Sequence, residues 1–407
     1  MSRGIDGFQP ERLIQVLAAR RLNQTQLSAM VGVSPATISK WRSGQQAPEA
    51  EALEKLATVV NVMPEWFTRP MLPEISKPLF RSNASAHVAA RAMMAARLAW
   101  ADGLVHGMSS FVDFPTLNLP EFDFCNIDEI STSDIEIAAN QCRKLWGLGM
   151  GAMPNLALAT ESNGIILVRE ETGVAQIEGV STWSKSIGRP IILLSSDKDN
   201  AFRSRFDLAH ELGHLILHRH INISLESERY KLMENQAHQF AGALLLPAET
   251  FADEVRTPVT LDSLLLLKQR YGISVAAIIM RLHVLGIISD EEKQLLYKRR
   301  SARWGVKSEP GDDSREPEKP CLIKRTIELL VTSGIMPIDS IARYSGLSAI
   351  DVEMLAGLPC GYLTGPKAEV VQLATLKSIS QIQKKEKNDA NNSSIIEFTH
   401  RPNRFHT

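Results

Sequence analysis

The chain lacks most of what holds secreted, thiolate-metal or membrane domains together. Its 407 residues hold four cysteines, Cys125, Cys142, Cys321 and Cys360, with no two close together and no C-x-x-C pair. That argues against a disulfide framework and against a Cys-based zinc site, and it suits a reducing compartment. Charge of one sign is lacking too. Lys and Arg number 45 against 46 Asp and Glu, a net charge of -1, so any DNA-binding region must be local. There is no long hydrophobic run. The most apolar region, residues 259–288, is interrupted by Asp262, Lys268, Arg270 and Arg281, whereas a membrane span needs about 20 largely uncharged residues. The N-terminal stretch is broken by charge and does not read as a secretory signal. A cytoplasmic protein without a membrane segment is expected.

What is present predicts about two to four domains and a multidomain α+β fold class. Residues 1–70 read as an all-α helix-turn-helix unit, 71–125 as a linker and helical connector, and 126–300 as an α+β domain with a small antiparallel sheet. Residues 301–320 read as a charged, Pro-containing linker, 321–375 as a C-terminal helical domain, and 376–407 as a polar, disordered tail. The three strands are expected in "GIILVREE", "AQIEGVSTWSKS" and "RPIILLSSDK".

In "NQTQLSAMVGVSPATISKW", Asn23 is an N-cap with Gln26 as its capping-box partner. Gly32 breaks the helix, and Ser34-Pro35 opens the next one. Two short helices joined at a Gly turn make a helix-turn-helix. From Arg12 to Pro48 there are five basic residues (Arg12, Arg20, Arg21, Lys40 and Arg42) and no acidic one, a local balance that favours a phosphate backbone. "IARYSGLSAIDVEML" echoes this motif, with Gly346 for Gly32 and Ser348 for Ser34, but it carries Asp351 and Glu353. Negative charge there suits packing or protein contact rather than DNA.

The densest chemistry lies in "RFDLAHELGHLILHRH", residues 205–220. His210 and His214, four apart, share one face of a helix, and Glu211 completes H-E-x-x-H, a spacing that can bind zinc beside a general base. A third ligand is needed, and three candidates exist. His218 lies about 12 Å from His210 along a straight helix, too far to share one ion with both. His220 would need a sharp turn where Leu217 stands. Glu234 opens a second helix, "ENQAHQFAGALLLP", and would complete a two-His, one-Glu catalytic site.

"FRSRFDLAHELGHLILH" with "ENQAHQFAGALLLP" resembles the ImmA/IrrE family of zinc metallopeptidases, and Glu234, Ala237, Phe240, Ala241, Leu244, Leu245 and Pro247 fit that pattern. The resemblance implies a zincin-like metallopeptidase domain in which His210, His214 and Glu234 bind Zn2+, with Mn2+ as the alternative ion, and Glu211 is the catalytic base. His238 stands where the family often has Asn or Asp. It is a candidate second-layer or oxyanion residue, with Tyr230 a further one. Residues 8–68 resemble the XRE-type helix-turn-helix of phage repressors, which implies that Gln24 touches phosphate and that Pro35, Ala36, Thr37 and Lys40 face the major groove of double-stranded DNA. The implied function is a regulatory endopeptidase that cleaves a transcriptional repressor protein in response to stress or mobile-element induction. The alternative is a DNA-binding transcriptional regulator whose peptidase-like domain is a sensor or structural module, in a toxin-antitoxin or phage-defence system. Either could be a homodimer.

Overall fold

In the computed structural model, residues 4–73, 75, 76, 88–174, 177–221 and 227–364 are described. Residues 77–87 of the expected connector, the end of the expected C-terminal domain and the expected tail lie outside them.

The first helices begin where the capping residues stand. Helix α1 (Pro10–Arg20) has proline in its first turn, α2 (Gln24–Val31) starts in a reciprocal Asn23–Gln26 capping box, and α3 (Pro35–Arg42) is capped by Ser34, which accepts from the Thr37 N–H. Gly32, at φ 79°, supplies the left-handed turn between α2 and α3. Helix α4 (Ala50–Val60) and a 3-10 turn at Pro64–Thr68 close this unit. The long helix α5 (Val88–Met108) packs against α1.

The central region opens with α6 (Thr132–Leu145) and α7 (Leu156–Ser162), followed by β1 (Ile166–Glu170), β2 (Gly179–Ser184) and β3 (Arg189–Ser195). The strand order is β1-β3-β2. The small sheet was expected to be antiparallel, but it is mixed: β2 and β3 are antiparallel, whereas β1 and β3 are parallel. The chain runs up, down and up, and the third strand takes the middle, so it lies parallel to the first. The β3 run "PIILL" is apolar on both faces because both faces are covered. Ile191 and Leu193 join a core with α1 and α5, while Ile192 and Leu194 join a second core with α6 and the next two helices.

Those helices are α8 (Ala201–Leu217) and α9 (Ser227–Leu245), followed by α10 (Ala248–Glu254), α11 (Leu261–Tyr271), α12 (Val275–Val284) and α13 (Asp290–Trp304). The charged stretch after α13 is tied down by its acids. Glu309 accepts from the Val275 and Ala276 N–H groups at the start of α12, and Glu318 accepts from Leu156 and Ala157 at the start of α7. Carboxylates at helix N-termini satisfy otherwise orphaned donors.

The chain continues through α14 (Leu322–Thr332), α15 (Ser340–Ser345) and α16 (Ala349–Ala356). The echo of the first motif is real in backbone terms: Gly346 takes φ 77° and Ser348 caps α16. Yet α16 buries Asp351, Val352 and Glu353 and packs on β1. A buried ion network forms there. Arg97 of α5 pairs with Glu170 of β1 (2.5 Å) and Asp351 of α16 (2.7 Å), and Arg20 of α1 also pairs with Asp351 (2.5 Å). Both guanidiniums lie 5.0 Å from the Trp100 ring centroid. Among the described residues, no single helix is long and apolar enough to cross a membrane.

Candidate metal centre

Helix α8 is capped by Asn200, whose side chain accepts from the Arg203 N–H, and its last residue is Leu217. It crosses α9 closely because Gly213 has no side chain. A Cβ there would lie 3.1 Å from Phe240 Cβ and 3.2 Å from Ala237 Cα. This crossing carries Glu234 to the histidines. The His210 and His214 Nε2 atoms are 3.0 Å apart, Glu234 Oε2 is 3.3 Å from His210 Nε2, and Glu234 Oε1 is 3.4 Å from His214 Nε2. One ligand atom from each of the three lies within 4.8 Å of the others.

The donor set suits a cation. Neither Glu234 oxygen has a hydrogen-bond partner among the described residues, although both are buried. Burial acts to raise the Glu234 pKa, but His210 and His214 outweigh it and hold the carboxyl well below its usual range. Burial also pushes the His210 imidazole down to about 3, against the pull of Glu234. The site thus offers two imidazoles and one carboxylate, a donor set that suits a divalent cation.

Glu211 is buried one residue beyond His210 and sits against the start of β2. A Cβ on Gly179 would lie 3.0 Å from Glu211 Oε1, so the glycine makes room for the carboxylate. Tyr230 is buried beside the cluster. Burial, together with the Glu234 and Glu211 carboxylates, raises its pKa, so the phenol keeps its proton. His238 places its Nδ1 2.7 Å from the Glu234 backbone carbonyl, and its ring meets the His210 ring edge-on at 4.4 Å. It also borders a cavity of about 480 Å³, with Phe206, Asp207, Gly242, Met280 and Val284 among its walls.

The other two histidines are placed apart from the three ligand candidates. His220 is exposed beyond the helix end. His218 is buried behind His214, with the two Nδ1 atoms 3.0 Å apart. Sequence reasoning weighed His218 only as a ligand and missed this position, although the i, i+4 series pointed to it. Gly179, Gly213 and Gln236 were also missed, because only the folded chain shows what approaches them.

In the helix-turn-helix, Pro35, Ala36 and Lys40 are exposed on α3 and Thr37 is half-buried. Gln24 is engaged inside the motif: its Nε2 donates to the Pro35 carbonyl (2.6 Å) and its Oε1 accepts from Arg42 (3.0 Å). Two of the five basic residues also turn inward. Arg20 is in the ion network, and Arg12 donates to the Pro70 carbonyl.

Residues 160–283 match the IrrE N-terminal-like domain, Peptidase_M78, and residues 13–67 match a helix-turn-helix, HTH_3. The chain joins an ImmA/IrrE-type domain to an N-terminal XRE-type helix-turn-helix. No curated protein matches it. The ImmA/IrrE match takes in the sheet, α8 and α9, and so every residue of the cluster. Helix α6, which packs on α9, lies outside the matched segment.

Proposed function

We propose that the protein is a zinc-dependent regulatory endopeptidase that cleaves a transcriptional repressor, with its own domain for double-stranded DNA. The observation that carries this reading is the convergence of His210, His214 and Glu234 with a buried Glu211 beside them. The two histidines and Glu234 would hold the ion. When bound, zinc supplies Lewis acidity toward the scissile carbonyl and makes an attacking water easier to deprotonate. Glu211 accepts that water's proton and passes it to the leaving amine. Tyr230, a protonated phenol, donates to the oxygen that gains charge during attack.

The edge strand supports an extended peptide substrate. Among the described residues, β2 pairs as a strand with β3 on one side only. Its outer edge accepts at Trp183, whose carbonyl takes the Ser76 N–H at 2.9 Å. Gly179 and Ser181 share that orientation by the period of two, and Gly179 lies beside Glu211, which suits addition of a substrate strand there. The second reading, a DNA-binding regulator with a sensor domain, draws on the ion network that ties α1 to β1 through Asp351 and Arg97.

The test is incubation of candidate repressors with zinc-loaded wild type and with Glu211→Gln. Cleavage by wild type alone supports the peptidase. Equal cleavage by both removes Glu211 as the base. Operator binding with no cleavage by either favours the sensor.

A further inference from the structure

His218 and Gln236 lie behind His214, and neither takes part in the chemistry above. Both are buried, at 2% and 3% exposure. Gln236 Nε2 is 2.9 Å from the Ile127 carbonyl and 3.1 Å from the Ile130 carbonyl, both in or next to the 3-10 turn ahead of α6. Carbonyl oxygens only accept, so the amide nitrogen must face them and the amide oxygen must face away. That oxygen lies 3.2 Å from His218 Nε2, which must then carry a hydrogen and donate it. A neutral imidazole has one N–H, so His218 Nδ1 is an acceptor. It lies 3.0 Å from His214 Nδ1, and His214 must be the donor there. The lone pair of His214 is left on Nε2, the atom 3.4 Å from Glu234 and 3.0 Å from His210 Nε2.

We infer that the Ile127 and Ile130 carbonyls, acting through Gln236 and His218, hold His214 in the one tautomer whose Nε2 can bind a cation. His218 and Gln236 are positioning residues: the direction of every hydrogen bond in the chain follows from two backbone carbonyls that cannot reverse. His210 has no such support, since its Nδ1 has no hydrogen-bond partner among the described residues. One imidazole is therefore set in advance and the other is not. Such outer partners fix ring orientation and commonly contribute about 10–100-fold in metal affinity. This consequence rests on the metal-site reading, whereas the tautomer belongs to the metal-free chain.

The first measurement is an imidazole ¹⁵N–¹H correlation spectrum of the full, metal-free wild-type chain at neutral pH. His214 protonated on Nδ1 and His218 on Nε2 are expected. His214 protonated on Nε2 overturns the inference, and this result needs no variant to fold. The second is zinc affinity by chelator competition. His218→Phe and Gln236→Leu should weaken binding about 10–100-fold, while His218→Asn, which returns an acceptor toward His214, should recover part of it. Lower thermal stability with unchanged zinc affinity in both His218→Phe and Gln236→Leu would assign these residues to packing and overturn the inference. If the wild type binds no zinc, the metal reading fails, and the spectrum still decides the tautomer.

Discussion

Two of the buried polar clusters among the described residues follow opposite rules. Where α1, α5, β1 and α16 meet, each charge faces an opposite one: Arg97 with Glu170 and Asp351, and Arg20 with Asp351. Where α8 crosses α9, two imidazoles and a carboxylate turn ligand atoms toward one another, and the two Glu234 oxygens lack hydrogen-bond partners among the described residues. Burying a charge is costly unless it is paired. The first cluster is complete within the chain and serves as a joint. The second gathers ligand atoms that suit a cation, which makes it the candidate site.

The largest expected effect lies at the second cluster. Glu211→Gln should lower peptide turnover about 10²–10⁴-fold with zinc content unchanged, as read by steady-state cleavage and metal analysis. At the joint, Asp351→Asn should cost about 3–5 kcal/mol of stability by urea unfolding, with zinc affinity of the folded protein preserved. Equal losses of metal in Asp351→Asn and Glu234→Gln would erase the contrast. Glu234→Gln should abolish zinc retention while leaving the metal-free chain folded, as read by metal analysis and circular dichroism.

The joint also has a pH signature. Burial would raise the Asp351 pKa, but Arg20 and Arg97 outweigh it and hold the carboxyl below 3.8. A depressed carboxyl stabilises the fold above its unfolded value, and that stability is lost as pH falls through the folded value. Acid unfolding of the metal-free wild type should therefore show a term below about pH 4 that Asp351→Asn lacks. The smallest effect concerns neither cluster: Lys40→Ala should reduce the salt slope of DNA binding by about one and leave cleavage of a soluble repressor intact.

Local features were legible before the fold was known. The three strands stand within the expected runs, apart from residues 175 and 176, which lie outside the described residues. The Asn23–Gln26 box and the Ser34 cap open the helices they were assigned. These signals involve residues within four positions of each other, where backbone geometry dominates. The fate of basic residues was less legible. Arg12 and Arg20 count as DNA-favouring charge in sequence, yet both are used inside the fold, which leaves Arg21, Lys40 and Arg42 exposed among the five. The two helix-turn-helix-like units make the same point. Their turns are alike, but α3 shows Pro35, Ala36 and Lys40 to solvent, whereas α16 buries Asp351 against two arginines. A charge in sequence does not reveal its partner when that partner is hundreds of positions away.

The helical repeat alone places His210 and His214 on one face with Glu211 beside them, because that geometry spans little more than one turn. Helix rise also excludes His218, and Leu217 counts against His220, but the sequence gives no distance through space for Glu234. Packing supplies that distance: Gly213 lets α9 approach, Glu234 lies beside the imidazoles, and His220 is left in solvent. Packing also sets Gln236 against the carbonyls of Ile127 and Ile130 and brings His218 between Gln236 and His214. The spacing of residues along one helix follows from its pitch, but the atoms that meet between helices depend on how closely their surfaces can approach.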